Sequence, residues 1–243
     1  MEKDFIFGIH PIIEAIEAGK VFDKVFLQNG LLGDNIRELK IKLGEAGIKA
    51  KYVPIEKLNR LTRKNHQGVC AFLSPVQFYK LEDVIPELFE KGKMPFILML
   101  DHLTDVRNFG AICRTAEIVG VDAIVIPNEG SAPVNSDSIK TSAGALFNVK
   151  ICKEKNLLKA LEFLKLSGIK TVCATEKTDK NIYEEKLALP IAIVLGNEEK
   201  GISRDILKNA DEKLKLPMYG KTDSLNVSVA CGVFLYEVVR QNI

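Results

Sequence analysis

Ile191-Ala192-Ile193-Val194-Leu195-Gly196-Asn197-Glu198-Glu199-Lys200-Gly201 sets an unbroken apolar run directly against a polar loop bounded by glycines. A strand that is apolar at every position suits a parallel sheet covered on both faces, because a sheet with one wet face alternates apolar and polar residues. Phe96-Ile97-Leu98-Met99-Leu100 has the same character. Neither run approaches the ~18 residues of a membrane span, so no membrane partner is expected. Ligands of open α/β sheets lie beyond the carboxyl ends of the strands, so the loops that follow these runs are where chemistry is expected.

Outward from these two runs, strands are expected at Pro95–Leu100, Ala123–Ile126, Lys170–Ala174, Ile191–Leu195 and Glu212–Leu216. Helices are expected at Asn108–Val119, Asn156–Leu166, Ser203–Leu207 and Ser224–Arg240. The first third alternates on a smaller scale. Its strands read as Phe5–Phe7, Val21–Leu27, Lys49–Val53 and Val69–Leu73. Its helices read as Pro11–Ala18, Asp34–Ala46 with Asp34 as cap and Gly47 as stop, and a short one opened by Pro54 and reaching Leu61. Ser74–Lys93, with Pro75, Pro86 and Lys91-Gly92-Lys93, reads as a linker carrying one short helix, Leu81–Glu90. The expected fold class is α/β, with a small α/β domain over 1–75, a linker over 76–93 and a larger α/β domain over 94–243.

Composition narrows the function. The 243 residues are 47% hydrophobic and 27% charged, which supports a packed core and excludes wholesale disorder. A net charge of +2 excludes a histone-like basic protein, but the charge is unevenly shared: residues 1–75 carry +3 and the rest −1. A footprint for a polyanion therefore leans to the first third. Five cysteines (Cys70, Cys113, Cys152, Cys173, Cys231) lie at least 21 residues apart without a C-x-x-C pair. Neither a disulfide framework nor a zinc site is expected, and no metal. The opening Met1–Ile6 reads MEKDFI, without the apolar segment of a secretory signal, so a cytoplasmic location is expected.

Three loops carry candidate chemistry. The first runs Asp101-His102-Leu103-Thr104-Asp105-Val106-Arg107-Asn108-Phe109-Gly110 into a helix containing Arg114. The second is Gly196–Ser203. The third runs Leu216-Pro217-Met218-Tyr219-Gly220 and on to Ser224-Leu225-Asn226-Val227-Ser228. Gly196-x4-Gly201 has P-loop spacing, but Ile202-Ser203 stands where Lys-Ser/Thr is needed, so a triphosphate has no lysine partner. No G-x-G-x-x-G, H-E-x-x-H or G-x-S-x-G occurs, and His10, His66 and His102 stand apart. Plain structural readings also exist: Asn108 and Ser224 are good helix caps, and Gly196-Asn197 is a common turn. Asn226 is harder to assign to structure alone, since it sits among Leu225, Val227, Val229, Ala230, Val233 and Phe234, where an amide needs a partner.

Taken together, Asn108-x5-Arg114, Gly196-Asn197-Glu198-x2-Gly201, Leu216-Pro217-Met218 and Ser224-Leu225-Asn226-Val227-Ser228 resemble motifs one to three of the SpoU/TrmH family. These are RNA ribose 2′-O-methyltransferases of the SPOUT superfamily. The resemblance covers roughly Met94–Ile243. Phe7-Gly8-Ile9-His10-Pro11 and Asn65-His66-Gln67-Gly68-Val69 extend it over the first third, towards the RlmB-like branch that modifies a guanosine of 23S ribosomal RNA.

The resemblance implies a C-terminal trefoil knot, a homodimer and S-adenosyl-L-methionine as cofactor. It implies Gly196, Leu216, Leu225, Leu195, Met218 and Thr175 around that cofactor. Arg114 would steer a target phosphate and align the ribose oxygen, with Asn108, Glu198, Asn226 and Ser224 in a supporting network. Basic Arg60, Arg63 and Lys64, with His66, would contact RNA from the first third. Two other readings stand beside ribosomal RNA: a transfer RNA substrate, or a non-catalytic RNA-binding assembly factor on the same scaffold.

Overall fold

Seven strands, all parallel, carry the larger of two compact units in the computed structural model, which describes residues 4–222 and 224–243. The smaller unit takes the chain up to Gln77 together with Val134–Ser136.

In the smaller unit β1 (Phe5–Phe7), α1 (Ile9–Glu17), β2 (Phe22–Gln28), α2 (Asp34–Glu45), β3 (Ala50–Val53), α3 (Ile55–Leu61) and β4 (Val69–Leu73) follow in order. The sheet order is β1-β4-β2-β3, with β4 antiparallel to both neighbours and β2 parallel to β3. Ile12, Ile13, Ile36, Leu39 and Leu43 of α1 and α2 pack on Val25, Leu27, Val69 and Ala71. Leu58 of α3 packs on the other face with Phe26, Val53 and Cys70. Gly33, not Asp34, holds the cap position of α2; Asp34 is its first helical residue, where a carboxylate complements the positive end of the helix.

The larger unit continues with β5 (Phe78–Tyr79), α4 (Leu81–Glu90), β6 (Phe96–Asp101), α5 (Val106–Ile118), β7 (Ala123–Pro127), α6 (Ser136–Thr141), β8 (Lys150–Glu154), α7 (Leu157–Leu166), β9 (Lys170–Ala174), β10 (Ile191–Gly196), α8 (Arg204–Asn209), β11 (Glu212–Leu214) and α9 (Val227–Asn242). The strand order is β11-β9-β10-β6-β7-β8-β5. All six residues of β6 are buried, as are Ile191–Leu195 of β10. Leu81, Val84, Ile85 and Leu88 of α4 join Leu157, Leu161 and Leu164 of α7 and Ile206 of α8 in one cluster. The cluster closes over Ile97, Met99, Ala123, Val125, Ala192 and Val194. Each such Leu, Ile, Val or Met side chain contributes about 1.5–3 kcal/mol of burial. Helix α9 packs on β10 and on α5.

Some expectations are corrected here. The expected helix Leu81–Glu90 is present, but from Phe78 on the stretch expected as a linker is part of the larger unit: Phe78–Tyr79 pairs with Ile151–Cys152 at the sheet edge, and α4 is part of the core. The strand Lys150–Glu154 and the helix Ser136–Thr141 were not expected. Strand β11 ends at Leu214, two residues early, and α9 begins at Val227 rather than Ser224.

Candidate active site

Strands β11, β9, β10 and β6 are neighbours, so their carboxyl ends stand side by side within about 15 Å. Thr175 follows β9, Leu195 and Gly196 end β10, Leu216 and Met218 follow β11, and Asp101 ends β6. Every loop singled out in the sequence therefore leaves one edge of the sheet.

The loop after β6 is shaped by Asp105. Its Oδ1 accepts from the backbone N–H groups of Arg107 and Asn108, both at 2.8 Å, which makes Asp105 the N-cap of α5. Asn108 is thus not the cap, and its side chain is available for other partners. Its Nδ2 donates to Glu198 Oε1 at 2.6 Å, and its Oδ1 accepts from Asn226 Nδ2 at 3.0 Å. Asn226 is itself the N-cap of α9: its Oδ1 accepts from the N–H groups of Ser228 at 2.9 Å and Val229 at 3.4 Å, and from the Ser228 hydroxyl. One relay, Glu198–Asn108–Asn226–Ser228, joins all three loops. It supplies the partner that the Asn226 amide needs.

The remaining expected residues are distributed as follows. Arg114 lies on the exposed side of α5, with no carboxylate at ion-pair distance among the described residues. Ser224 is exposed and is not the cap of α9; it makes no hydrogen bond to another described residue. Leu195 and Thr175 are buried, while Leu225 and Met218 are each 42% exposed. The backbone N–H and C=O groups of Leu216 and Met218 likewise find no partner among the described residues. Open backbone polar groups flanked by exposed apolar side chains suit a flat heteroaromatic ligand. At Gly196 a β-carbon would lie 2.2 Å from the Gly201 carbonyl carbon, so only glycine lets this loop close. Asn197 and Gly201 seal it with paired backbone bonds of 2.8 and 3.1 Å.

In the smaller unit Arg60, Arg63 and Lys64 are exposed, but His66 is only 7% exposed. Its Nδ1 accepts from the Gly68 N–H at 3.0 Å and its Nε2 faces Asn59 Oδ1 at 2.9 Å. His66 therefore shapes a turn, with its ring directed inward.

One pair at the site edge was missed. Asp101, 1% exposed, bonds His102 Nδ1 through Oδ1 and accepts from the Ser203 N–H through Oδ2 at 2.6 Å. His102 sits at φ +58°, a left-handed conformation that costs a non-glycine residue roughly 1–2 kcal/mol. Its carbonyl accepts from Asn197 Nδ2 at 3.1 Å, and its ring lies where a β-carbon on Gly130 would come within 2.8 Å. The adjacent Asp101-His102 at a strand end was the available signal.

All five cysteines are buried, and burial pushes their thiols up, to about 11 for Cys70 and about 12 for Cys152 and Cys173. They are packing residues rather than nucleophiles.

Residues 95–236 match the SpoU rRNA methylase family, and residues 5–79 match the RNA 2′-O ribose methyltransferase substrate-binding domain. A protein of Bacillus subtilis (strain 168) named as a TrmH family tRNA/rRNA methyltransferase, YacO, is 32% identical over 240 residues, covering 99% of this chain and 96% of its own. A Staphylococcus aureus (strain MSSA476) protein named as a TrmH family tRNA/rRNA methyltransferase is 35% identical over 242 residues, covering 99% and 97%. Among solved structures, an AdoMet-bound rRNA methyltransferase from Sinorhizobium meliloti superposes with a TM-score of 0.64 at 21% identity, over 99% of this chain and 88% of that one. The A. aeolicus TrmH/SpoU tRNA modifying enzyme gives a TM-score of 0.55 at 32% identity, over 66% and 83%.

Proposed function

This chain belongs to the SpoU rRNA methylase family, and from that premise we propose that it transfers a methyl group from S-adenosyl-L-methionine to the 2′-hydroxyl of a guanosine ribose in 23S ribosomal RNA. The observation that carries this reading is the Glu198–Asn108–Asn226 relay, which draws the three loops together at one sheet edge.

The residues present fit the cofactor. S-adenosylmethionine carries no phosphate, so the missing P-loop lysine is no loss. Its adenine needs backbone donors and acceptors between apolar walls, which the open groups of Leu216 and Met218, with Leu225, Leu195 and Gly196, can supply. Thr175 lies on the same edge. When bound, the cofactor supplies a methyl carbon made electrophilic by its sulfonium. The chain must bring the ribose oxygen into line and keep it there, and such alignment is worth about 7–11 kcal/mol. Arg114, without a carboxylate partner among the described residues, is suited to fork onto an RNA phosphate. Asn108 and Asn226 hold the adjoining loops in register, Glu198 fixes the direction of their amides, and Ser224 leaves its hydroxyl for the incoming nucleotide.

Arg60, Arg63 and Lys64, on the basic first third, are read as phosphate contacts. A homodimer is part of the reading. Val229 and Tyr236 of α9 and Ile118 of α5 are 52%, 54% and 60% exposed on packed helices, an apolar face suited to a second copy. So is a trefoil knot in the C-terminal part, which the family resemblance implies. A cytoplasmic location agrees with five unpaired thiols.

The test is transfer of labelled methyl from the cofactor to 23S ribosomal RNA and to bulk transfer RNA, followed by mapping of 2′-O-methyl positions. Labelling of ribosomal guanosine is the expected result. Labelling confined to transfer RNA would move the substrate, and binding without transfer would leave an assembly factor.

A further inference from the structure

Transfer to a hydroxyl releases a proton, and the relay offers it no destination. Asn108 and Asn226 are amides, and a guanidinium such as that of Arg114 resists deprotonation. Glu198 accepts from Asn108 through one oxygen, and a carboxylate is in any case a weaker base than an imidazole. On the same rim stands a histidine whose side chain is 58% exposed, tied to a carboxylate that is almost wholly buried.

We propose that His102, oriented by Asp101, accepts the proton of the ribose 2′-hydroxyl during methyl transfer; this rests on the methyltransferase reading above. A carboxylate only accepts, so the proton on the ring must sit on Nδ1, facing Asp101 Oδ1. That leaves the lone pair on Nε2. The other Asp101 oxygen is held by the Ser203 N–H, so the carboxylate cannot swing away from the ring. The backbone is held at its strained φ by the Asp101 bond and by Asn197, whose amide grips the His102 carbonyl. Asn197 directly precedes Glu198, and Asn108 lies six residues beyond His102, so the ring is anchored to the same two loops that the relay joins. Strain kept in place by several bonds is a common mark of a functional position. A buried acid, an imidazole and a ring nitrogen without a partner among the described residues form the arrangement of a general base.

The step balances. The O–H bond breaks and its proton passes to Nε2. The oxygen's electron pair forms the new O–CH3 bond, and the electrons of the broken C–S bond remain on sulfur. The imidazolium then returns its proton to water.

The test uses the full chain with His102→Gly and His102→Gln in single-turnover transfer. Glycine accepts φ +58° freely, so the first variant removes the ring without straining the loop, and this relief opposes the cost of leaving Asp101 Oδ1 without its ring partner. The expected result is a ~10²–10³-fold slower transfer at saturating RNA and cofactor with affinities unchanged. Added free imidazole should restore much of the rate to His102→Gly and none to His102→Gln. Nitrogen-15 spectra of the parent should report the Nδ1-protonated tautomer, and Asp101→Asn should lose that preference. A His102→Gly rate within threefold of the parent overturns the proposal. So does a loss that imidazole does not rescue, or an Nε2-protonated ring. A parent protein that methylates neither ribosomal nor transfer RNA instead removes the methyltransferase reading, and this proposal with it.

Discussion

Asn108 Nδ2 meets Glu198 Oε1 at 2.6 Å, joining residues ninety positions apart and giving the whole relay its direction. A carboxylate accepts only, so Asn108 must turn its amide nitrogen towards Glu198 and its oxygen towards Asn226. Asn226 must then donate.

This direction separates two substitutions at one position. Asn226→Ala removes the cap of α9 and should cost about 1 kcal/mol of stability as well as methyl transfer. Asn226→Asp keeps the capping oxygen but sets an acceptor against the Asn108 oxygen. Urea denaturation should find it close to the parent in stability, while transfer falls at least tenfold. Equal activity in Asn226→Asp and the parent would show that relay direction is immaterial.

Arg114→Ala should abolish transfer and leave cofactor affinity by calorimetry within about twofold, because the arginine is assigned to the RNA and not to the methyl donor. Arg114→Lys should rescue poorly, since an ammonium cannot fork. Retained turnover in Arg114→Ala would remove the residue from the mechanism.

Gly196→Ala forces a β-carbon to within 2.2 Å of backbone that has little freedom to retreat. The loop must open, and cofactor affinity should weaken more than tenfold while the far-ultraviolet dichroism stays that of the parent. Unchanged affinity would dissociate this loop from the cofactor.

Acid should weaken the fold in a defined direction. Hydrogen bonds from Lys150 and Lys91 hold the Glu87 carboxyl down, to about 2. Arg240 holds Glu237 below its ordinary range, and at Asp211 the bonds from Thr171 and Lys165 outweigh an opposing effect of burial. A carboxylate whose folded value is depressed stabilises above its unfolded value and loses that contribution as pH falls towards the folded one. Urea midpoints should thus be flat from pH 7 to about 5 and fall from there towards pH 2. A midpoint that rises over that lower window would contradict these pairings.

The buried thiols give a last check. With Cys70, Cys152 and Cys173 all pushed up by burial, a disulfide reagent at pH 8 should titrate almost no thiol in the native protein and five after denaturation.

The parallel sheet was legible because Phe96–Leu100 and Ile191–Leu195 are apolar at every position, which only a doubly covered strand explains. Lys150–Glu154 was not, because Ile151 and Cys152 are its only fully buried residues and the polar ones around them mask the strand. The helix start near Asn108 was legible, but its cap was not: Asp105 and Asn108 are both good caps three residues apart, and only the tertiary partner Glu198 tells them apart. The burial of His66 was not legible for a related reason. Its polar, basic neighbours suggest a surface loop, but the positive φ angles of Gln67 and Gly68 turn the chain so that its ring points inward. The residues of the candidate site could be picked out by motif, whereas their mutual bonds depend on chain segments that meet only after folding.

The Asn226 amide is engaged at both ends, its oxygen starting a helix and its nitrogen completing the link to Asn108. Winding of the sixteen-residue helix and assembly of the candidate site are consequently one event. A chain in which that segment has not yet coiled has no aligned amide to offer, so partly folded copies should be silent rather than promiscuous.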